Sequence, residues 1–338
     1  MFQNPRRRLL EDVRAGREPD TILLGLNHLH AFDVDAWLHD PPKGGGPLFR
    51  LAWTAREVPL AWQLRQADVA FSPLANLFPL AARMRGGPPV VVANYGLNTI
   101  YDRSTRARRR LLGANLRAAA AVVCLASAQR DNIVARARLD PARVHTVLLG
   151  ADVDWFSPRP NGGGDGYVLT VGKDLARDLA TFAAAVAPLG TGVEVVAHPR
   201  TLTDVRLPAH VRVRSGVSVS QLRDLYAGAA CVVVPQRADG YPYGSEGGGL
   251  TTICEAMAMG RPIVATERAV LHDYLDVDEL VPPGDPEALR TAIEAVLGSE
   301  KVAVERGERS RRRAEERHST RRFAAALAPI LRAAASLR

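Results

Sequence analysis

The chain has few cysteines, no long apolar run and none of the common glycine-rich nucleotide fingerprints. Cys124, Cys231 and Cys254 are scattered over 338 residues with no CxxC pair. That excludes a zinc ribbon and a disulfide framework and leaves three buried free thiols. The longest apolar stretches, such as AAAAVVCLASA over 118–128, fall short of the ~20 residues that a membrane-crossing helix needs. The start MFQNPRRRLLEDVRAG is basic, but acidic residues stand where a signal peptide would carry its apolar core. The expected location is the cytoplasm, with any membrane contact peripheral and on the inner face. No GxGxxG follows the first candidate strand. Neither a second glycine nor a Ser or Thr accompanies Lys173, so a P-loop is absent too.

What is present is ordinary for a globular protein. Hydrophobic residues make up 47% and charged residues 24%, which excludes a disordered chain, and the length suggests two domains. The formal charge is +8. Residues 1–157 hold 21 Lys and Arg against 14 Asp and Glu, a surplus of 21 − 14 = 7. Such a basic half suits nucleic acid, an anionic membrane or a phosphorylated substrate, and equally reflects an Arg-rich, Ala-rich composition. No helix-turn-helix or other binding module accompanies the charge, which argues against nucleic acid. The stretch 102–120 carries six arginines, with leucines at 111, 112 and 116. It reads either as a basic amphipathic helix resting on anionic lipid or as a solvated helix face.

Apolar runs of strand length alternate with helical patterns. The first half offers strands at 21–26, 67–73, 89–94, 121–127 and 143–150, with helices at 54–66, 73–85 and 103–120. The segment 155–166, WFSPRPNGGGDG, has two prolines and four glycines and reads as a linker. The second half repeats the alternation, with strands at 167–172, 193–198, 211–216, 230–236, 261–266 and 278–283. Its helices fall at 175–188, 218–228, 251–259 and 285–297. Apolar strands separated by helices predict parallel α/β sheets covered on both faces. The predicted division is 1–157, 158–300 and a helical surface tail over 301–338. Ligands of such sheets bind beyond the carboxyl ends of the strands.

Two segments there carry candidate chemistry. In ACVVVPQRADGYPYGSEGGGLTTICEAMAMGRPIVAT (230–266), a buried strand runs into a polar loop, then Gly247, Gly248 and Gly249, then a helix starting near Thr251. Glycines let backbone amides approach a bulky anion, and a helix N-terminus favours phosphate. Leu250 opens the helix, Thr251 and Thr252 offer hydroxyls, and Glu255 could accept hydrogen bonds from a ribose diol. A flexible loop, two capping threonines and a dipole-matched glutamate fit equally well. In LTVGKDLARDLATF (169–182), Gly172 ends a strand, and Lys173 and Arg177 stand four apart, as on one helix face. They suit a diphosphate, or else a solvated Lys and an Arg paired with Asp174 or Asp178. His28 and His30 read as ordinary polar histidines or as substrate contacts; no third ligand at recognisable spacing makes a metal pair of them.

Residues 167–297 resemble the C-terminal domain of retaining, nucleotide-sugar-dependent glycosyltransferases of the GT-B fold, glycosyltransferase family 4. VGKDLARD, VSVSQLRDLYAGAACVVVPQ, GGGLTTICEAMAMGRPIVAT and ELVPPGDPEALRTAIEAVL match the family's pieces in order. VVCLASAQRDNI and RVHTVLLGADVDWFSP resemble the end of its first domain.

The resemblance implies an α/β GT-B architecture: two Rossmann-like domains facing each other across a cleft, with a helical C-terminal tail. It implies a retaining, hexosyltransferase-type transfer from a UDP- or GDP-sugar to a glycan, lipid-linked or small-molecule acceptor, with no bound cofactor and no metal. Gly172, Gly248, Gly249, Leu250, Thr251, Thr252 and Glu255 would bind the donor nucleotide, Glu255 through the ribose. Lys173 and Arg177 would neutralise the leaving diphosphate. The family carries a second Glu eight residues before the ribose-binding one; here that position is Gly247, with Glu246 one residue earlier as its stand-in. Asn94 and Tyr95, at the end of PVVVAN, would face the acceptor side. A non-catalytic sugar-nucleotide-binding homologue and a nucleotide-sugar epimerase are the alternatives.

Overall fold

A computed structural model describes residues 6–38, 64–72, 77–158 and 166–338. Contacts divide the chain into two compact units. The first comprises Met1–Arg14, Gly25–Leu148 and Phe323–Arg338, the second Ala15–Leu24 and Leu149–Arg322.

The first unit holds a parallel sheet in the order β1-β2-β3-β4, formed by Ala70–Ser72, Val90–Asn94, Ala121–Cys124 and Val144–Thr146. Val90, Val92, Val122, Cys124 and Val144 pack with Phe78, Leu112, Leu116 and Ile133 from the covering helices. β2 and β3 are buried at every position, as continuous apolar runs require of a doubly covered sheet. The expected helix over 73–85 is Phe78–Arg85 among the described residues. The one over 103–120 is Arg106–Ala118, preceded by Leu97–Arg103. Most of the helix expected over 54–66 lies outside the described residues; Leu64–Gln66 is a single 3₁₀ turn.

The strand expected at 21–26 is not a strand. Asp20–Leu23 and Leu26–Phe32 are 3₁₀ helices, joined through left-handed residues Leu24 (φ 57°) and Gly25 (φ 68°). Asp152 fixes the first of them. Its Oδ2 accepts from the Asp20 amide at 3.0 Å, and its own amide donates to Thr21 Oγ1 at 3.0 Å. The leucines of the run serve burial in helical turns, with Leu23 and Leu29 almost fully enclosed. His28 and His30 sit in the second turn, where His30 Nδ1 lies 2.9 Å from Asn27 O.

The second unit holds six parallel strands: β5 (Tyr167–Gly172), β6 (Val193–Ala197), β7 (Val211–Arg214), β8 (Ala229–Val234), β9 (Ile263–Thr266) and β10 (Leu280–Val281). Their order is β10-β9-β8-β5-β6-β7. The chain starts in the middle, builds outward through β6 and β7, then returns to the other side of β5. The reversal of direction between β5 and β8 opens a crevice at their carboxyl ends.

The contact division departs from the sequence boundaries in three places, the first being Ala15–Leu24, which belongs with the second unit. Residues 149–157 belong with the second unit: Phe156 is fully buried there, edge-on to Tyr226 at 6.1 Å. The tail is helical, as expected, and its two helices are assigned to different units. Helix Glu300–Glu316 is held in the second unit by Arg311, whose Nη1 donates to the carbonyls of Val153 and Phe156 at 3.0 and 2.9 Å. The final helix, Thr320–Ala335, lies in the first unit from Phe323 onward. There Arg332 Nη1 donates to Phe32 O at 2.7 Å. Between these helices, His318–Thr320 runs beside Ala151, with Ala151 N donating to His318 O at 2.9 Å and Thr320 N to Ala151 O at 3.1 Å. Gly150 has no room for a Cβ, which would overlap the Ser319 backbone.

Candidate functional site

The crevice between β5 and β8 is where buried polar groups collect. After Gly172 the chain turns through Lys173–Asp178, and the next helix begins only at Leu179. The expectation of Lys173 and Arg177 sharing a helix face is therefore corrected. Asp178 caps the helix, accepting from the Thr181 amide at 3.2 Å, and pairs with Arg237 at 3.2 Å. The turn sends the two cations to different places. Lys173 is exposed, whereas Arg177 is only 6% exposed and pairs by backbone with Gln236 beyond β8.

Arg177 has been brought in at a cost. Its Nη2 donates to Thr252 Oγ1 at 3.2 Å, and that hydroxyl donates to Val171 O at 3.3 Å. Its Nε and Nη1 are shut off from solvent and have no partner. Burial lowers its pKa to about 10, with Asp174 pulling the other way. Gly172 is glycine because a Cβ there would overlap the Arg177 side chain.

Gln236, 1% exposed, completes the pocket. Its Oε1 accepts from Arg268 Nη1 at 2.7 Å, while its Nε2 is buried without a partner. Arg268, 6% exposed, also donates through Nε to Asp239 at 3.0 Å. Unmatched buried donors are rare in native proteins and each needs a reason. Three here, on two side chains in van der Waals reach of one glycine, point to an anion. A Cβ on Gly249 would come within 2.7 Å of Gln236 Nε2 and 3.5 Å of Arg177 Nη1.

Helix Leu250–Ala258 starts at this point, with Gly249 (φ 93°) as its N-cap and no side-chain cap. The threonines therefore do not cap it. Thr252 is buried against Arg177, Thr251 is exposed, and Leu250 is a core residue. The loop glycines spend amides internally: Gly248 N donates to Ser245 O at 2.9 Å and Leu250 N to Gly247 O at 3.3 Å. Their main contribution is space for Asp174, Gln236 and Arg177. Glu246 is half-buried in the same loop.

One turn into the helix, Glu255 is 8% exposed and accepts from Tyr226 Oη at 3.0 Å. Burial pushes its carboxyl up to about 7, against the opposing Tyr226 hydrogen bond. Burial and the neighbouring Glu255 raise the Tyr226 phenol in turn.

Asn94 and Tyr95 lie at the end of β2 in the first unit. Tyr95 is half-buried. Asn94 is fully buried, so the expectation of an open acceptor-side group there is corrected. Its Oδ1 accepts from the Gly96 and Leu97 amides at 3.1 and 2.7 Å, which starts the helix Leu97–Arg103. Among the described residues, Asp276, Asp278 and Glu279 form a carboxylate group close enough to hold a metal. Arg306, Arg309 and Arg313 pair with it, so it reads as an ion-pair network.

Sequence reasoning passed over Gln236, Arg268 and Tyr226, and named Asp174 only as a partner for Arg177. Gln236 and Arg268 had a usable signal, since each is a polar residue two positions past a buried strand. Tyr226 had none: it comes from the helix preceding β8.

These features can be set beside known proteins. Residues 189–299 match the family described as Glycosyl transferases group 1. Sucrose-phosphate synthase from Thermosynechococcus elongatus superimposes with a TM-score of 0.71 at 19% identity, over 88% of this chain and 82% of that one. HepE from Anabaena, in complex with UDP and glucose, gives 0.69 at 14% identity, over 90% and 88%. The fold is GT-B. In sequence, the GT-B chain is 26% identical over 220 residues to the MMP α-(1→4)-mannosyltransferase of Mycolicibacterium hassiacum, covering 60% of this chain. It spans about half the length of that relative, 52%. Among the described residues no helix is long and apolar enough to cross a membrane.

Proposed function

We propose that this GT-B chain is a retaining glycosyltransferase that moves a hexose from a UDP- or GDP-sugar to an acceptor hydroxyl. The observation that carries the reading is the buried Arg177 guanidinium with two unmatched N–H groups beside the open N-terminus of helix Leu250–Ala258. A diphosphate satisfies those donors and the helix dipole together. As the glycosidic bond breaks, charge grows on the leaving phosphate, where a desolvated, already positioned cation acts most strongly. Glu255 receives the ribose hydroxyls, and the exposed Lys173 meets the outer phosphate. Glu246 remains a donor-side candidate, and Tyr95 an acceptor-side one.

The match to glycosyl transferases group 1 and the mannosyltransferase relative support this reading over an epimerase or a non-catalytic binder. The acceptor class, a glycan, a lipid-linked sugar or a small molecule, and a cytoplasmic site of action belong to the same proposal. So does peripheral membrane contact, through Arg106, Arg108, Arg110 and Leu111, all exposed on one helix; sedimentation with anionic vesicles tests it.

The first experiment is a thermal-shift screen with UDP, GDP, ADP, dTDP and their sugar conjugates. A ligand at a hundred times its Kd adds about 2.7 kcal/mol of apparent stability. One responding nucleotide fixes the donor, and NMR of the product's anomeric proton then tests retention. No response to any of them rejects the reading.

A further inference from the structure

Asp174, two residues beyond β5, has a carboxyl group whose two oxygens are treated differently. Oδ1 accepts from the Ala176 amide at 2.8 Å, which orients the group. Oδ2 is closed to solvent and meets no donor. The glycine loop is shaped around it. A Cβ on Gly248 would overlap Oδ2, and one on Gly244 (φ 96°) would overlap Oδ1. A carboxylate oxygen deprived of both water and a hydrogen-bond donor is costly; Arg177 attracts it electrostatically but donates its hydrogen bond to Thr252.

The crevice therefore holds unmatched donors, on Arg177 and Gln236, and one unmatched carboxylate acceptor. Phosphate oxygens answer the donors. They cannot answer Asp174, because two anions repel. Its partner must be a hydroxyl. A nucleoside-diphosphate sugar carries hydroxyls at two places, the ribose and the sugar, on either side of the diphosphate. The residues follow that order. Going back along the helix and its loop, Glu255 bonds Tyr226, Thr252 bonds Arg177, and Gly248 and Gly244 lie against Asp174. With the ribose at Glu255 and the diphosphate at Arg177, the sugar comes to Asp174.

We propose that Asp174 accepts a hydrogen bond from a hydroxyl of the transferred sugar and so selects the donor by its sugar. The inference rests on the transferase reading above. It also gives Gly244 and Gly248 a role, since a side chain at either would displace the carboxyl.

The test is calorimetric titration of the full chain with UDP, GDP, UDP-glucose and GDP-mannose, comparing wild type and Asp174→Asn. The variant should bind the bare nucleotide within about twofold of wild type. Affinity for the nucleotide sugar should fall about tenfold, the factor for one charge-assisted hydrogen bond. Equal losses for nucleotide and nucleotide sugar in Asp174→Asn would make Asp174 a loop-fixing group and overturn the inference alone. So would an unchanged affinity for the sugar conjugate. A wild-type chain that binds neither ligand overturns the transferase reading and this inference together.

Discussion

Asn94 and Gln236 are both amide side chains at the carboxyl end of an apolar strand in a parallel sheet, and both are buried. Asn94 has a partner at each end: its oxygen holds two backbone amides, and its nitrogen lies 3.6 Å from Cys124 Sγ. Gln236 has its oxygen on Arg268 and its nitrogen on nothing. Burial and position are the same, so neither distinguishes a structural amide from a ligand-binding one. The unmet hydrogen bond is what makes Gln236 the candidate. Asn94 meets its partners within the first unit, whereas Gln236 Nε2 meets none.

Breaking that contrast gives a graded set of outcomes. Arg177→Met should have the largest effect. Nucleotide affinity should drop by at least about 2 kcal/mol, as for a hydrogen-bonded charge, while thermal stability of the unliganded chain holds or rises, because a desolvated cation is gone. A fall in stability with unchanged affinity would make Arg177 structural. Gly172→Ala should reproduce the loss of affinity by forcing the same guanidinium out, which titration calorimetry checks.

Glu255→Gln sharpens the contrast through pH. In the folded chain Glu255 keeps its proton to about pH 7, against an ordinary 4.5. Between those values the native state holds the extra proton, so its stabilising contribution is full below 4.5 and is lost as pH rises through 7. The unliganded variant should match wild type near pH 4 and exceed it at pH 8 by up to about 3 kcal/mol, read from denaturant midpoints at both pH values. Its nucleotide affinity at pH 8 should be weaker by about 1–3 kcal/mol.

Asn94→Ala should do the reverse, costing about 1–3 kcal/mol of stability and leaving nucleotide affinity untouched. Lys173→Ala should have the smallest effect, under about 1 kcal/mol on nucleotide binding, as for an exposed charge.

The second sheet was legible because β5, β8 and β9 are largely apolar runs bounded by turn residues, and the reading of β5 over 167–172 coincides with the strand itself. The run at 21–26 has the same composition, yet it turns helically because Asp152, far along the chain, holds Asp20 and Thr21. No local pattern records such a partner. At the site, the helix after the glycines and Arg177 were visible from spacing. The separate fates of Lys173 and Arg177 were not, since they depend on where Leu179 starts its helix and on the Arg177–Gln236 bridge. Asp174 was read only as a partner for Arg177 for a similar reason: its meaning comes from two glycines seventy residues away that leave it room.

The division of the last two helices between the units bears on the order of biosynthesis. Phe323, Leu327 and Leu331 are buried in the first unit, although they follow the whole second unit in the sequence. Domains generally fold as they emerge, N-terminal first, but here the first unit lacks its segment from Phe323 onward until the second unit has been translated. The second unit, contiguous from Leu149 to Arg322 apart from Ala15–Leu24, can close before it. In the cell, the half of the protein that is synthesised first should be the half that depends longer on chaperones.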